Sequence, residues 1–124
     1  MKLRIRGDSL RLRLTQGEVQ AFVESGCVED TTSFGASRLE YALAFVDLPR
    51  GQTLAARLNP TPQGSRIEVG IDAIAGRAWA TSDAVGMESV DGPLRLLVEK
   101  DYACLKERPH EDDADAFPNP NATC

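Results

Sequence analysis

Two segments in which charged and apolar residues alternate strictly, 2–6 and 10–14, constrain this chain most. Such alternation is typical of β-strands that bury one face. Gly7 and Asp8 between them suit the tight turn of an antiparallel hairpin. Leucine and isoleucine then share one face of the hairpin. The opposite face carries five basic side chains: Lys2, Arg4, Arg6, Arg11 and Arg13.

The same order of elements occurs twice along the chain. After the first hairpin, Thr15 and Glu18 have the spacing of a capping box at the start of a helix that ends near Gly26. Strands near 28–34 and 38–47 follow, then strands at 53–58 and 66–71, a helix after Asp72, and strands near 85–89 and 94–100. A shift of 57 residues aligns Phe22 with Trp79 and the leucines of 10–14 with the branched residues of 67–71. The sequence therefore predicts an internal repeat of two similar ββαββ halves, about 1–48 and 52–104.

Eight strands and two short helices predict a single α+β domain over residues 1–105, built mostly from antiparallel sheet. We expect a closed eight-stranded barrel in preference to an open two-layer sheet, with the helices covering the apolar face. A chain of 124 residues that is 42% apolar can form such a core. Residues 106–124 are acidic and proline-rich. They predict an irregular tail, either free or anchored through Phe117.

Composition argues against several classes of function. The net charge of −5 argues against broad nucleic-acid binding. No apolar run is long enough to span a membrane, and the N-terminus does not resemble a secretory signal. Three widely spaced cysteines fit a reducing compartment. We therefore expect a cytoplasmic protein that associates with neither membrane nor nucleic acid.

The polar faces of the predicted strands carry more basic than acidic side chains. Later strands add Arg38, Arg57, Arg66 and Arg95, and the acids Glu40, Glu68 and Glu99. A hairpin turn at either Gly7-Asp8 or Asp8-Ser9 places arginine opposite a like charge, which destabilises a sheet unless something neutralises it. The candidates for anion binding are Lys2, Arg4, Arg6, Arg11, Arg13, Arg38, Arg66 and Arg95.

Three interpretations of this basic face remain open. Its side chains are solvated, or they bind a small phosphate-rich anion, or they dock an acidic protein. The chain's own acidic segment 111–115 is a further candidate to cover them. The solvated face is the simplest of these interpretations. Among the functions, we favour non-catalytic binding of a small polyanion over docking of an acidic protein, because guanidinium groups bind phosphate through paired hydrogen bonds.

Catalytic and metal sites are not predicted. Cys104, His110, Asp112 and Cys124 match no compact zinc spacing, and Cys104 with His110 has no third group to orient a base. Cys27 is expected to be a small, partly buried side chain. The sequence implies no cofactor.

The opening from Lys2 to Thr15, together with Glu18-Val19 and the ending from Glu99 to Leu105, resembles a family of small bacterial proteins of unknown function. The tail, with Glu111-Asp112 and the segment from Asp115 to Pro120, extends the resemblance over nearly the whole chain. It implies a shared fold and assigns no activity.

The two ββαββ halves also resemble triphosphate tunnel proteins of the CYTH-like fold. That resemblance implies a barrel whose basic wall residues bind a triphosphate and whose glutamates bind metal, some of them in an N-terminal Glu-x-Glu-x-Lys motif. Here the first strand has Lys2, Arg4 and Arg6 instead. Glu40, Glu68 and Glu99 are the remaining candidates for metal, and a tunnel-type phosphohydrolase is the least favoured hypothesis.

Overall fold

A computed structural model describes residues 1–103 together with 117 and 118. It confirms all eight predicted strands and both predicted helices, and their order is that of two ββαββ halves. The elements are β1 (Lys2–Arg6), β2 (Ser9–Leu14), α1 (Gln16–Ser25), β3 (Cys27–Ser33), β4 (Arg38–Val46), β5 (Leu54–Thr61), β6 (Gly64–Asp72), α2 (Ala73–Ala80), β7 (Gly86–Asp91) and β8 (Leu94–Lys100).

The first hairpin adopts one of its two predicted registers. Gly7 has a φ of 53°, a left-handed conformation that glycine adopts without a steric penalty. A turn at this position pairs Arg4 with Arg11 and Lys2 with Arg13. The like charges predicted from the sequence therefore do face one another.

Both helices begin at a side-chain cap. The Thr15 hydroxyl accepts from the Glu18 amide at 3.3 Å, and the Glu18 carboxylate accepts from the Thr15 amide at 2.9 Å. This is the predicted capping box, which satisfies two amides that have no partner within the helix. In the second half, the Asp72 carboxylate accepts from the Ala75 amide at 3.1 Å. The caps Thr15 and Asp72 are the two positions that the 57-residue shift aligns.

The strands form two four-stranded sheets. The first sheet has the order β1-β2-β8-β7 and the second the order β3-β4-β6-β5. Each sheet therefore combines the first hairpin of one half with the second hairpin of the other. The four hairpins are antiparallel, whereas the central pairs β2–β8 and β4–β6 are parallel, so both sheets are mixed.

The expectation of a closed barrel is wrong. The strand ladders stop at β1 and β7 in the first sheet and at β3 and β5 in the second. Where β5 lies beside β7, the Ala56 amide donates to the Asp91 carboxylate at 3.0 Å instead of to a strand carbonyl. A side chain thus takes the place of the backbone ladder that closure would need.

One hydrophobic core unites the two sheets and the helices. The largest side chains in it are Trp79 and Phe22, which lie at corresponding positions of α2 and α1. They pack with the apolar faces of both sheets, including Leu12, Leu43 and Ile71. Ile74 of α2 points away from this core and is 84% exposed. The helices therefore pack against the apolar faces of the two sheets, and the polar faces lie on the opposite side of each sheet.

Phe117 is 97% exposed, so its side chain does not anchor the tail. Within residues 1–103, 117 and 118, no helix combines the length and apolarity needed to cross a membrane.

Candidate functional site

The polar face of the first sheet, here called the arginine face, concentrates basic side chains in three rows. Strand pairing aligns Lys2, Arg13 and Glu99 in one row, and Arg4 and Arg11 in the next. A third row carries Arg6, Ser9 and Arg95. With β7 included, the twelve strand positions of this face hold six basic residues and two acidic ones, Glu88 and Glu99.

Glu99 is the buried anion of the arginine face. The residue is only 4% exposed. Its Oε1 atom accepts from Arg13 through Nε at 3.0 Å and Nη2 at 2.7 Å, and lies 3.6 Å from Nε of Arg11. The two arginine side chains are also largely buried, with 14% and 16% of their surface exposed. A single carboxylate therefore holds two cations where solvent is mostly excluded.

The rim of the arginine face is more open. Lys2 contacts Asp101 at 3.2 Å, and Arg95 contacts Glu88 at 3.8 Å, with both basic side chains about 70% exposed. Ion pairs of this kind contribute little to stability because water screens them. Arg4, Arg11 and Arg13 make further interactions, so none of the three is without a partner.

The second sheet holds the other predicted basic residues on its own polar face. Arg66 Nη1 lies 2.9 Å from Glu29 Oε2 and 3.0 Å from Glu40 Oε1, and its Nε atom lies 3.6 Å from Glu68 Oε2. The hydrogen bond that Arg66 donates to the Glu29 carboxylate is the main reason that the pKa of Arg66 is raised. With Arg38 and Arg57, this face holds three basic side chains. Its acids are Glu29, Glu40 and Glu68 and, at the end of β6, Asp72, which caps α2, so it carries no basic excess.

The predicted anion-binding set is thus divided between two sheets. Lys2, Arg4, Arg6, Arg11, Arg13 and Arg95 share the arginine face, whereas Arg38 and Arg66 lie on the polar face of the second sheet. Sequence alternation shows which residues share a face within a strand, but it does not show which strands share a sheet. The excess of positive charge is therefore confined to the first sheet.

The three glutamates considered for metal are divided in the same way. Glu40 and Glu68 contact Arg66, and Glu99 contacts Arg13 and Arg11. In the part of the chain that the structure describes, no three histidine, cysteine, aspartate or glutamate residues form a group able to hold a metal ion. Cys104, His110, Asp112 and Cys124 lie outside the described residues.

Cys27 is half-buried at the start of β3, as the sequence predicts. Burial, with the negative charge of Glu29 as a second cause, raises the pKa of its thiol. A thiol that remains protonated is a poor nucleophile.

An apolar groove beside α1 is not predicted from the sequence. Leu14, Val19, Val23, Ala80 and Tyr102 line it, and its volume is about 460 Å³. Its walls come from α1, the end of α2 and the chain leaving β8, which are far apart in sequence. The only local signal is that Val19 and Val23 extend the apolar stripe of α1 beyond Phe22.

Comparison with known proteins gives one match. Residues 1–121 match the model of a family described only as a family of unknown function, DUF7009. This agrees with the first resemblance seen in the sequence. No curated protein and no solved structure matches the chain, so the likeness to tunnel proteins gains no support from these comparisons.

Proposed function

The chain belongs to DUF7009, a family of unknown function, and we propose that its arginine face binds a small phosphate-rich anion without catalysis. The observation that carries the proposal is the excess of six basic over two acidic side chains on one sheet face. The polar face of the second sheet, by contrast, carries no basic excess. The excess therefore belongs to one surface and is not spread over the protein.

The energetics of the face favour an anionic ligand. Same-face residues along a strand lie about 7 Å apart, where two like charges repel by about 0.6 kcal/mol in water and by more where solvent is excluded. Arg11 and Arg13 are both largely shielded from solvent. A bound phosphate would relieve this repulsion and accept paired hydrogen bonds from the guanidinium groups. Ligand binding would exchange the present partners of these arginines for phosphate oxygens.

The size of the face supports a compact ligand. Three rows of residues on three adjacent strands cover roughly 13 Å by 10 Å, from standard strand dimensions. Several phosphate groups of one small molecule fit this area. A nucleic-acid duplex needs a longer basic surface, and the net charge of −5 opposes its approach.

Thermal unfolding with inorganic triphosphate tests the proposal. At low salt and at a hundred times its dissociation constant, a ligand that binds only the folded protein adds about 2.7 kcal/mol of stability. We expect an increase in Tm of several degrees for a domain of this size. The increase should be smaller with pyrophosphate, and added salt should reduce it because ions screen the interaction.

Two matched variants localise the effect. Arg4→Ala removes one exposed charge from the arginine face, and Arg57→Ala removes one exposed charge from the second sheet. We expect the first substitution to abolish most of the triphosphate-induced increase and the second to preserve it. Equal responses of the two variants would show that the effect is not specific to the arginine face.

An acidic polypeptide is the second candidate occupant. Residues 107–115 contain five acids and one arginine, so the chain itself supplies a segment complementary to the arginine face. An acidic protein partner would use the same chemistry. Both candidates predict competition with triphosphate.

Removal of the acidic segment tests this competition. We expect a chain that ends at residue 105 to bind triphosphate more tightly than the full chain, because an internal competitor is lost. A full-length variant in which Glu111, Asp112, Asp113 and Asp115 become amides should show the same gain, since it removes charge without changing length. Unchanged affinity in both variants would rule out the segment as an occupant.

A further inference from the structure

The groove beside α1 meets the arginine face at the Lys2–Asp101 ion pair and has the properties of a ligand site. Its volume of about 460 Å³ falls within the range of small-molecule pockets. Leu14 beneath it belongs to the core and is fully buried, whereas Val19 and Val23 on the helix are half-buried and Tyr102 is 50% exposed. The groove thus offers an apolar surface that the core does not use.

The charges at the rim of the groove favour a cation. Two carboxylates line it, those of Glu24 and Asp101, against one ammonium group, that of Lys100. The Lys100 ammonium donates to the Ser82 carbonyl at 2.5 Å and lies 5.6 Å from the centre of the Trp79 ring. The Lys100 ammonium is therefore already bound by the Ser82 carbonyl and the Trp79 ring. The Asp101 carboxylate is similarly paired with Lys2 at 3.2 Å.

Glu24 is the carboxylate best placed to receive a ligand. Its Oε1 accepts from the Gln20 side-chain amide, a neutral donor, at 3.3 Å. Ala80 and Thr81 at the end of α2 also line the groove. The carboxyl end of a helix carries partial negative charge and favours a nearby cation. Both features point to a positively charged group at this rim.

We propose that this groove binds a small amphiphilic amine, with its apolar body against Val19, Val23 and Tyr102 and its ammonium group beside Glu24. The apolar body gains by leaving water. The ammonium group gains a charge-assisted hydrogen bond to the carboxylate. This proposal does not rest on the binding of polyanions by the arginine face.

Three probes with the same apolar body test the proposal: 4-phenylbutylamine, 4-phenylbutanol and 4-phenylbutyrate. We would titrate each into the ¹⁵N-labelled full chain and follow amide chemical shifts. The amine should shift the amides of Val19, Val23 and Tyr102. We expect it to bind about tenfold more tightly than the alcohol and more tightly still than the acid, as one charge-assisted hydrogen bond implies.

Glu24→Gln should remove most of the advantage of the amine over the alcohol, since it keeps the shape of the side chain and removes its charge. Glu88→Gln is the matched control on the arginine face and should leave that advantage intact. The spectra themselves report whether each variant is folded. Tighter binding of the acid, equal binding of all three probes, or shifts at other residues would overturn the proposal. Shifts of the same amides on dilution without a probe would assign the groove to a second copy of the chain and would also overturn it.

Discussion

Replacement of Trp79 by alanine is expected to lower the free energy of unfolding by about 3–5 kcal/mol, the cost of removing a buried aromatic side chain. Trp79 is 2% exposed and is the largest fully buried side chain of the described residues. Its indole N–H donates to the Val85 carbonyl at 3.3 Å, and its ring faces the Lys100 ammonium. Removal would leave a cavity between α2 and the core, whereas the Val85 carbonyl would keep its hydrogen bond from the Lys100 amide at 2.9 Å.

Urea denaturation followed by far-ultraviolet circular dichroism measures this loss. Circular dichroism is needed because the chain contains one tryptophan and the substitution removes it. Ile74→Ala is the control, since Ile74 lies on the same helix but is 84% exposed. Its effect should stay within about 0.5 kcal/mol. A loss at Trp79 no greater than that at Ile74 would contradict the placement of α2 over the core.

The second large effect is expected at Glu99. Replacing it with glutamine keeps the shape of the side chain and removes the charge that holds Arg11 and Arg13. Breaking a buried ion pair typically costs 3–5 kcal/mol, and the further interactions of these arginines reduce this to about 2–4 kcal/mol here. The variant should also bind triphosphate more tightly than the wild type, because the phosphate no longer competes with the carboxylate.

The same urea titration, with and without triphosphate, measures both consequences of Glu99→Gln. Glu88→Gln is the matched control on the same sheet face. Glu88 is half-exposed and lies 3.8 Å from Arg95, so its loss should cost less than about 1 kcal/mol. If Glu99→Gln leaves stability unchanged, Glu99 is not the internal counter-ion of the arginine face.

Local features of the fold could be predicted from the sequence because their causes are local. The turn near Gly7 allows two registers of the first hairpin, and the Thr15–Glu18 spacing predicts the start of α1. Each depends on residues close together in the chain. The structure confirms the capping box residue by residue and adopts the register that pairs Arg4 with Arg11.

The arrangement of the hairpins could not be predicted in the same way. Pairing of β2 with β8 joins residues more than 80 positions apart, and alternation alone does not select a parallel or an antiparallel partner. The predictions of a closed barrel and of a single basic face both required knowing which strands pair. For the same reason, the sequence places Arg66 and Arg11 in one predicted anion-binding set, whereas in the structure Arg66 contacts glutamates of the second sheet.

Equilibrium dialysis against radiolabelled inorganic triphosphate tests the central claim most directly, because it counts bound ligand without relying on a change in stability. We predict one bound triphosphate per chain at low ionic strength and weaker binding at about 0.2 M salt. Binding should be largely lost in Arg4→Ala and retained in Arg57→Ala. Absence of bound triphosphate from the wild-type chain at low ionic strength would contradict the proposal that the arginine face is a polyanion site.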